Sequence, residues 1–260
     1  MIKLVASDID GTLLPIGHTH ISQSFFEVIN ELDRMGIIFV AASGRQIPSL
    51  HMLFESVRDK VLFIAENGAY VEYKGETLHE AGMSHSLVKE IVADIEKTPD
   101  CEPIVSTKKT VYITKHAETF FRSREKEILY STTVTDDFFN ISDKVFKVTA
   151  CNYEGILPNA RTFAKTWEKF ASVTVSGEMY FDFMDLSVSK GNALEKVMKL
   201  LNIGPDDCMV FGDNYNDISM LKKTENAFAM EHSDDTVKAY ARYLTSDVED
   251  TIRKIYNILK

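Results

Sequence analysis

The 260-residue sequence has no long apolar run. The longest, residues 36–42 and Val61–Ala65, are strand-sized, whereas a membrane-spanning helix needs roughly 18 residues; no membrane partner is expected. The first ten residues already carry two aspartates, Asp8 and Asp10, which is unlike a secretory signal. Cysteine is scarce. Cys101, Cys151 and Cys208 lie far apart without paired spacing, and they read as reduced, buried thiols of a cytoplasmic protein. Basic residues are in deficit, with 29 Lys and Arg against 39 Asp and Glu and a formal net charge of −10. That balance disfavours nucleic acid, which selects basic faces. Low-complexity segments and internal repeats are also absent. What remains is ordinary globular composition, 45% hydrophobic and 26% charged, in a chain long enough for one large domain or two modest ones. The oligomeric state is not legible.

Strand and helix patterns alternate along the first third. Residues 2–7 form an apolar run that enters Asp8-Ile9-Asp10-Gly11-Thr12, the pattern of a buried strand running into a glycine turn. Ile21, Phe25, Val28, Ile29 and Leu32 recur at helical spacing, with Ser22 or Ser24 available as a cap and Gly36 as a stop. Residues 37–42 form a second buried strand, followed by Ser43-Gly44-Arg45 and a helical stretch to about Val57; residues 61–65 form a third, leading into Glu66-Asn67-Gly68-Ala69. This order predicts an α/β fold with a doubly wound parallel sheet. The grammar changes near Gly82. Helices are expected at residues 84–97 and 159–170, and strands within 99–114 and at 145–151, 172–175 and 180–186, alternating polar and apolar as in an α+β unit with one wet face. From Ser189 the opening grammar returns, with helices at 190–201 and 248–259 and strands at 208–211, 227–230 and 243–244. The simplest organisation is one core, residues 1–81 and 188–260, interrupted by an insert at 82–187.

Ligands of an open parallel sheet sit at the carboxyl ends of its strands. The notable polar groups all follow strands: Asp8 and Asp10, Ser43, Asn67, then Asp213, Asn216 and Asp217. If strand geometry continues through Asp10, the side chains of Asp8 and Asp10 leave one face. Clustered buried carboxylates repel, and a hard divalent cation such as Mg2+ removes the conflict, with Asp213 as second carboxylate. Asp213 and Asp217 lie four apart at a helix start and share a face. A carboxylate nucleophile divides phosphate-ester hydrolysis into two easier steps. The metal, the Lys190 ammonium, the Ser43 hydroxyl, the Asn216 amide and loop N–H groups are candidate donors to the transferring oxygens. Asp10 is the candidate acid and base.

These segments resemble a known family. Asp8-Ile9-Asp10-Gly11-Thr12-Leu13-Leu14 resembles the first signature of the haloacid dehalogenase-like hydrolases. Ala42-Ser43-Gly44-Arg45 resembles the second, Ser189-Lys190-Gly191 with Ala193-Leu194 the third, and Gly212-Asp213-Asn214-Tyr215-Asn216-Asp217 with Met220-Leu221 the fourth. Glu66-Asn67-Gly68-Ala69 resembles the extra signature of the Cof-type subfamily. The resemblance implies a Rossmann-like catalytic core and an α+β cap at 82–187. It implies that Asp8 is the nucleophile and a magnesium ligand, and that Asp10 is the acid and base and also binds the metal through its carbonyl. Asp213 would be a further ligand, with Asp217 supporting the metal's water shell. Ser43, Gly44, Lys190 and Asn216 would hold the phosphoryl group of a small phosphorylated metabolite, a sugar phosphate or a cofactor precursor. A sugar phosphomutase and a non-catalytic regulator are the alternatives; no feature favours the mutase, and both aspartates are present against the regulator. One departure stands out. Such proteins commonly show Ala-Met-Gly-Asn-Ala after the fourth signature, and here the segment is Ala229-Met230-Glu231-His232-Ser233.

Blander readings suit other residues. Ser43 is also a natural helix cap, and Asn67-Gly68 also a hairpin turn. Asn214 reads as loop structure. His18, His20, Glu231 and His232 read as exposed groups near the first loop or the site entrance. Lys108, Lys109, Arg122 and Arg124 read as a solvated face, and Phe181 and Phe183 as strand core.

Overall fold

The computed structural model describes residues 1–15, 17–122 and 132–258; Arg124 lies outside them. The chain divides into two compact units: Met1–Arg45, Leu50–His79 and Ser189–Lys260 form the first, and Gln46–Ser49 with Glu80–Val188 the second.

The first unit is built on parallel strands β1 (Leu4–Asp8), β2 (Ile38–Ala42) and β3 (Val61–Ala65). An antiparallel strand β4 (Tyr70–Tyr73) and then β5 (Glu76–Glu80) extend that edge. On the other side of β1 lie β12 (Cys208–Gly212), β13 (Ala227–Met230) and β14 (Tyr243–Thr245), all parallel. Every residue of β1 and β3 is buried, which explains why these strands read as continuous apolar runs. Alternation sorts their side chains between two faces. Leu4, Ala6, Val40, Ala42, Leu62 and Ile64 pack with Ala193, Leu194, Val197 and Met198 of helix α5 (Lys190–Leu200). On the opposite face Phe39 meets Phe25 of α1 (Gln23–Arg34) edge-on, with ring centroids 5.3 Å apart. Ser22 caps α1 by accepting from Phe25 N (3.1 Å), and a second helix, α2 (Ile47–Leu53), follows β2 in the chain. Phe25, Val28, Ile29 and Leu32 are all buried, each stabilising by roughly 2 kcal/mol gross.

The second unit is a six-stranded sheet ordered β10-β11-β9-β6-β7-β8. Its strands are β6 (Glu102–Thr107), β7 (Val111–Ile113), β8 (Thr132–Val134), β9 (Val145–Cys151), β10 (Ser172–Val175) and β11 (Tyr180–Met184). Helices α3 (His85–Lys97) and α4 (Leu157–Trp167) cover one face through Val88, Ile91, Val92, Ile95, Phe163 and Trp167. Phe181 and Phe183 belong to this core, as core strand residues should. The alternate positions mix a second apolar cluster, with Ile104, Val111, Ile113 and Cys151, and polar groups that are not wet: Thr149, Asp182 and Lys147 are buried, and Thr149 Oγ1 donates to Asp182 Oδ1 (2.6 Å). Paired polar groups tolerate burial, so alternation in the sequence did not mean exposure.

All three cysteines are buried thiols outside any disulfide. Among the described residues no helix is long and apolar enough to cross a membrane.

Candidate active site

Five chain segments of the first unit bring the polar groups together. β1 ends at Asp8, and the chain then turns through Ile9–Leu14, closed by Leu14 N to Ile9 O (2.7 Å) and Gly11 N to Leu14 O (2.8 Å). Gly11 sits at φ +91°, and a Cβ there would lie 2.4 Å from Asp213 Oδ2. Only glycine permits both the turn and that approach. Because the strand stops at Asp8, the same-face relationship expected of Asp8 and Asp10 does not hold. Asp8 points into the protein and is 5% exposed, whereas the Asp10 carboxylate is half exposed and receives two bonds from Arg45, from Nε (2.8 Å) and from Nη2 (2.6 Å).

The fourth signature follows β12. Asn214 caps the short helical turn Tyr215–Asp217, accepting from Tyr215 N (2.7 Å), and the Asp217 carboxylate turns back so that Oδ2 accepts from the N–H groups of Asp213 and Asn214 (both 3.0 Å). The carboxylates of Asp8, Asp213 and Asp217 converge, with one oxygen from each lying within 4.8 Å of the others. Thr12 Oγ1 donates to Asp213 Oδ1 (2.7 Å). Asp10 is outside this cluster as a carboxylate.

Lys190 opens α5, where Ser189 is the cap. A cation at a helix start is opposed by the helix dipole, and anions hold it there: its ammonium donates to Asp8 Oδ1 and to Asp217 Oδ1 (2.6 Å). Lys190 is 1% exposed. Burial pulls its pKa down, but Asp217 and Asp8 outweigh that and hold it above the ordinary lysine value. One ammonium cannot neutralise three carboxylates. The surplus falls on Asp8, whose pKa is pushed well above the usual range by burial and then by repulsion from Asp217, and on Asp213, raised by burial and again by Asp217.

The second signature and the Glu66–Gly68 turn meet behind the phosphate-binding candidates. Ser43 Oγ accepts from Arg45 N (3.1 Å), a local turn bond rather than a helix cap because the next helix begins at Ile47, and its hydroxyl hydrogen remains available to donate. Asn67 N donates to Ser43 O (3.0 Å), and Asn67 Oδ1 accepts from Asn216 Nδ2 (3.0 Å). Gly44 lies so close that a Cβ there would be 3.1 Å from Asn67 Oδ1. Asn67 therefore serves both as turn and as scaffold of the site. Ser43, Gly44, Lys190, Asn216 and the three clustered aspartates come together as sequence reasoning grouped them. Sequence reasoning did not select Arg45 or Thr12, although both stand inside quoted signatures. His232, half exposed, reaches within 3.8 Å of Asp213 Oδ2. His18, His20 and His232 line a 410 Å³ cavity beside Thr12 and Leu13.

Residues 5–254 match the family described as haloacid dehalogenase-like hydrolase. Among curated proteins the chain is similar to the 5-amino-6-(5-phospho-D-ribitylamino)uracil phosphatase YbjI of Escherichia coli, 29% identical with 93% of this chain and 90% of that protein covered. It is also similar to the 5-amino-6-(5-phospho-D-ribitylamino)uracil phosphatase YcsE of Bacillus subtilis, at 26% identity with 97% of this chain and 94% of that protein covered. Among solved structures, a protein of Streptococcus mutans aligns with a TM-score of 0.90 at 27% identity, over 99% of this chain and 100% of that one. The chain belongs to the haloacid dehalogenase-like hydrolases.

Proposed function

We propose that this phosphatase hydrolyses small phosphate monoesters through an aspartyl-phosphate formed on Asp8. The convergence of Asp8, Asp213 and Asp217 around the buried ammonium of Lys190 carries the proposal. That arrangement stores uncompensated negative charge at one strand end, which is costly unless it serves a cation.

The donor set fits magnesium. It is all oxygen, and burial with mutual repulsion raises the pKa of Asp8 and Asp213, the behaviour of carboxylates short of positive charge. Asp8, the Asp10 carbonyl and Asp213 would hold the ion. Asp217 would support its water shell, since its two oxygens are already occupied by Lys190 and by backbone N–H groups. When bound, the ion would offset charge on Asp8 and on the phosphoryl oxygens.

The chain's own groups do the rest. Asp8 attacks phosphorus as the leaving alkoxide departs, and Asp10 gives that oxygen its proton. Asp10 then takes a proton from the water that attacks the aspartyl-phosphate, releasing inorganic phosphate and restoring Asp8. Lys190, Ser43, the Asn216 amide and the loop at Gly44 hold the phosphoryl oxygens. Residues 82–187 would select the leaving group. Two relatives named as phosphatases of 5-amino-6-(5-phospho-D-ribitylamino)uracil support a small phosphorylated metabolite as substrate, and three cysteines outside any disulfide support a cytoplasmic setting. A magnesium-dependent screen of p-nitrophenyl phosphate and a metabolite panel, including 5-amino-6-(5-phospho-D-ribitylamino)uracil, tests the proposal. Phosphate release is expected; none over the panel would refute it.

A further inference from the structure

The backbone at Glu66–Gly68 is left-handed at three consecutive residues, with φ of +49° at Glu66, +55° at Asn67 and +105° at Gly68. Two of these carry side chains, and such conformations cost of order 1–3 kcal/mol each unless the surroundings enforce them. The surroundings do enforce them. Glu66 N donates to Arg45 O and Asn67 N to Ser43 O (both 3.0 Å), tying the turn to the second signature. A Cβ at Gly68 would meet Ser189 O at 2.5 Å, so the turn also lies against the cap of α5 in the third signature. Asn67 is 2% exposed, and its Oδ1 takes one of the two hydrogens of Asn216 Nδ2 in the fourth signature. The strained turn thus touches three segments that carry phosphate-binding candidates.

Among the described residues this is the one hydrogen bond that holds the Asn216 side chain, whose Oδ1 is buried without a partner there. A primary amide has two hydrogens. With one committed to Asn67, the amide plane is set and the second hydrogen is left for a ligand oxygen. We infer that Asn67 is a positioning residue: it does not touch the phosphoryl group, but fixes the Asn216 amide that does. This inference rests on the phosphatase reading for its catalytic consequence and on geometry alone for the coupling.

Asn67→Gly isolates the side chain, because glycine adopts the left-handed backbone without strain. Asn67→Asp retains an oxygen acceptor and tolerates the same backbone. In the ligand-free protein, the Asn216 side-chain amide seen by 15N NMR should exchange at least tenfold faster in Asn67→Gly and keep its protection in Asn67→Asp. Unchanged exchange in Asn67→Gly would overturn the inference. In kinetics with p-nitrophenyl phosphate, Asn67→Gly should raise KM about tenfold with kcat within about threefold, since binding to a fixed phosphate is lost equally from ground and transition states. Asn216→Ala should show the same loss, and the double variant no more than either. Additive losses, or a normal KM in Asn67→Gly, would also overturn it. If the unaltered enzyme hydrolyses no phosphate ester, the phosphatase reading fails, and the NMR result still decides whether Asn67 holds Asn216.

Discussion

Arg45 grips Asp10 through two parallel bonds, from Nε at 2.8 Å and Nη2 at 2.6 Å, and so presents the proposed acid and base as an oriented carboxylate rather than a free one. The pair is half exposed on the Asp10 side, where an ion pair contributes about 0–1 kcal/mol to stability. Arg45→Met, which keeps the apolar stem of a side chain only 12% exposed, should lower kcat about tenfold as the carboxylate loses its orientation, with a loss of stability too small to account for it. Asp10→Asn, which removes the proton carrier, should cost about 10²–10⁴ in kcat. Steady-state kinetics on both variants beside thermal melts checks this; equal losses in Tm and kcat for Arg45→Met would point to plain destabilisation.

Lys190→Met should be among the most destabilising changes in the core. It leaves the carboxylates of Asp8 and Asp217, both nearly inaccessible, without their shared cation. Breaking a buried pair from one side costs about 3–5 kcal/mol. The shift in urea midpoint measures it. A loss below about 1 kcal/mol would mean that the two carboxylates are readily hydrated.

Magnesium and pH should act on one another. Asp8 and Asp213 have raised pKa values in the folded chain, so the folded state binds more protons than the unfolded one above the ordinary aspartate value of 3.8. Their contribution to stability is present below that value and is lost as pH rises through the folded values. In chelator, the unfolding free energy attributable to this cluster should fall as pH rises. Magnesium should offset the loss, so the rise in Tm that it produces should be larger at pH 7.5 than at pH 5.5. Asp213→Asn, which removes one surplus charge while leaving an oxygen to accept from Thr12, should gain about 1 kcal/mol in chelator, or about 2–4 °C in Tm for a chain of this size. It should show little magnesium response.

Gly11→Ala should damage the same centre from the backbone side. Its Cβ would fall 2.4 Å from Asp213 Oδ2, at a φ that alanine resists. Magnesium affinity measured by calorimetry should drop at least tenfold while the far-UV spectrum is kept.

Much of this was legible in the sequence where burial writes continuously. The runs at β1, β2, β3 and β12 are apolar because both faces are covered, so both the strands and the loops that follow them could be placed. The edge was not legible. β4 and β5 are short, and the burial of β5 is mixed; nothing in so brief a stretch separates an antiparallel edge from a loop. The three-residue β8 was hidden for the same reason. At the site, residue types and order pointed to the cluster of Asp8, Asp213 and Asp217 with Lys190. Two relationships were beyond reach. The different directions of the Asp8 and Asp10 side chains depend on where the strand stops, and a shift of one residue reverses a side chain. The partners of Asn67 and Arg45 depend on side-chain directions across separate segments, which spacing along a chain does not encode.

In this mechanism Asp8 carries the phosphoryl group. Rapid acid quench of the enzyme during turnover, followed by reduction with tritiated borohydride and peptide mass spectrometry, is the decisive measurement. Label should appear within one turnover on the peptide containing Asp8, with residue 8 recovered as homoserine, and Asp8→Asn should trap none while losing about 10⁴-fold or more in turnover. Full turnover with no label on Asp8, or near-normal turnover by Asp8→Asn, would contradict it.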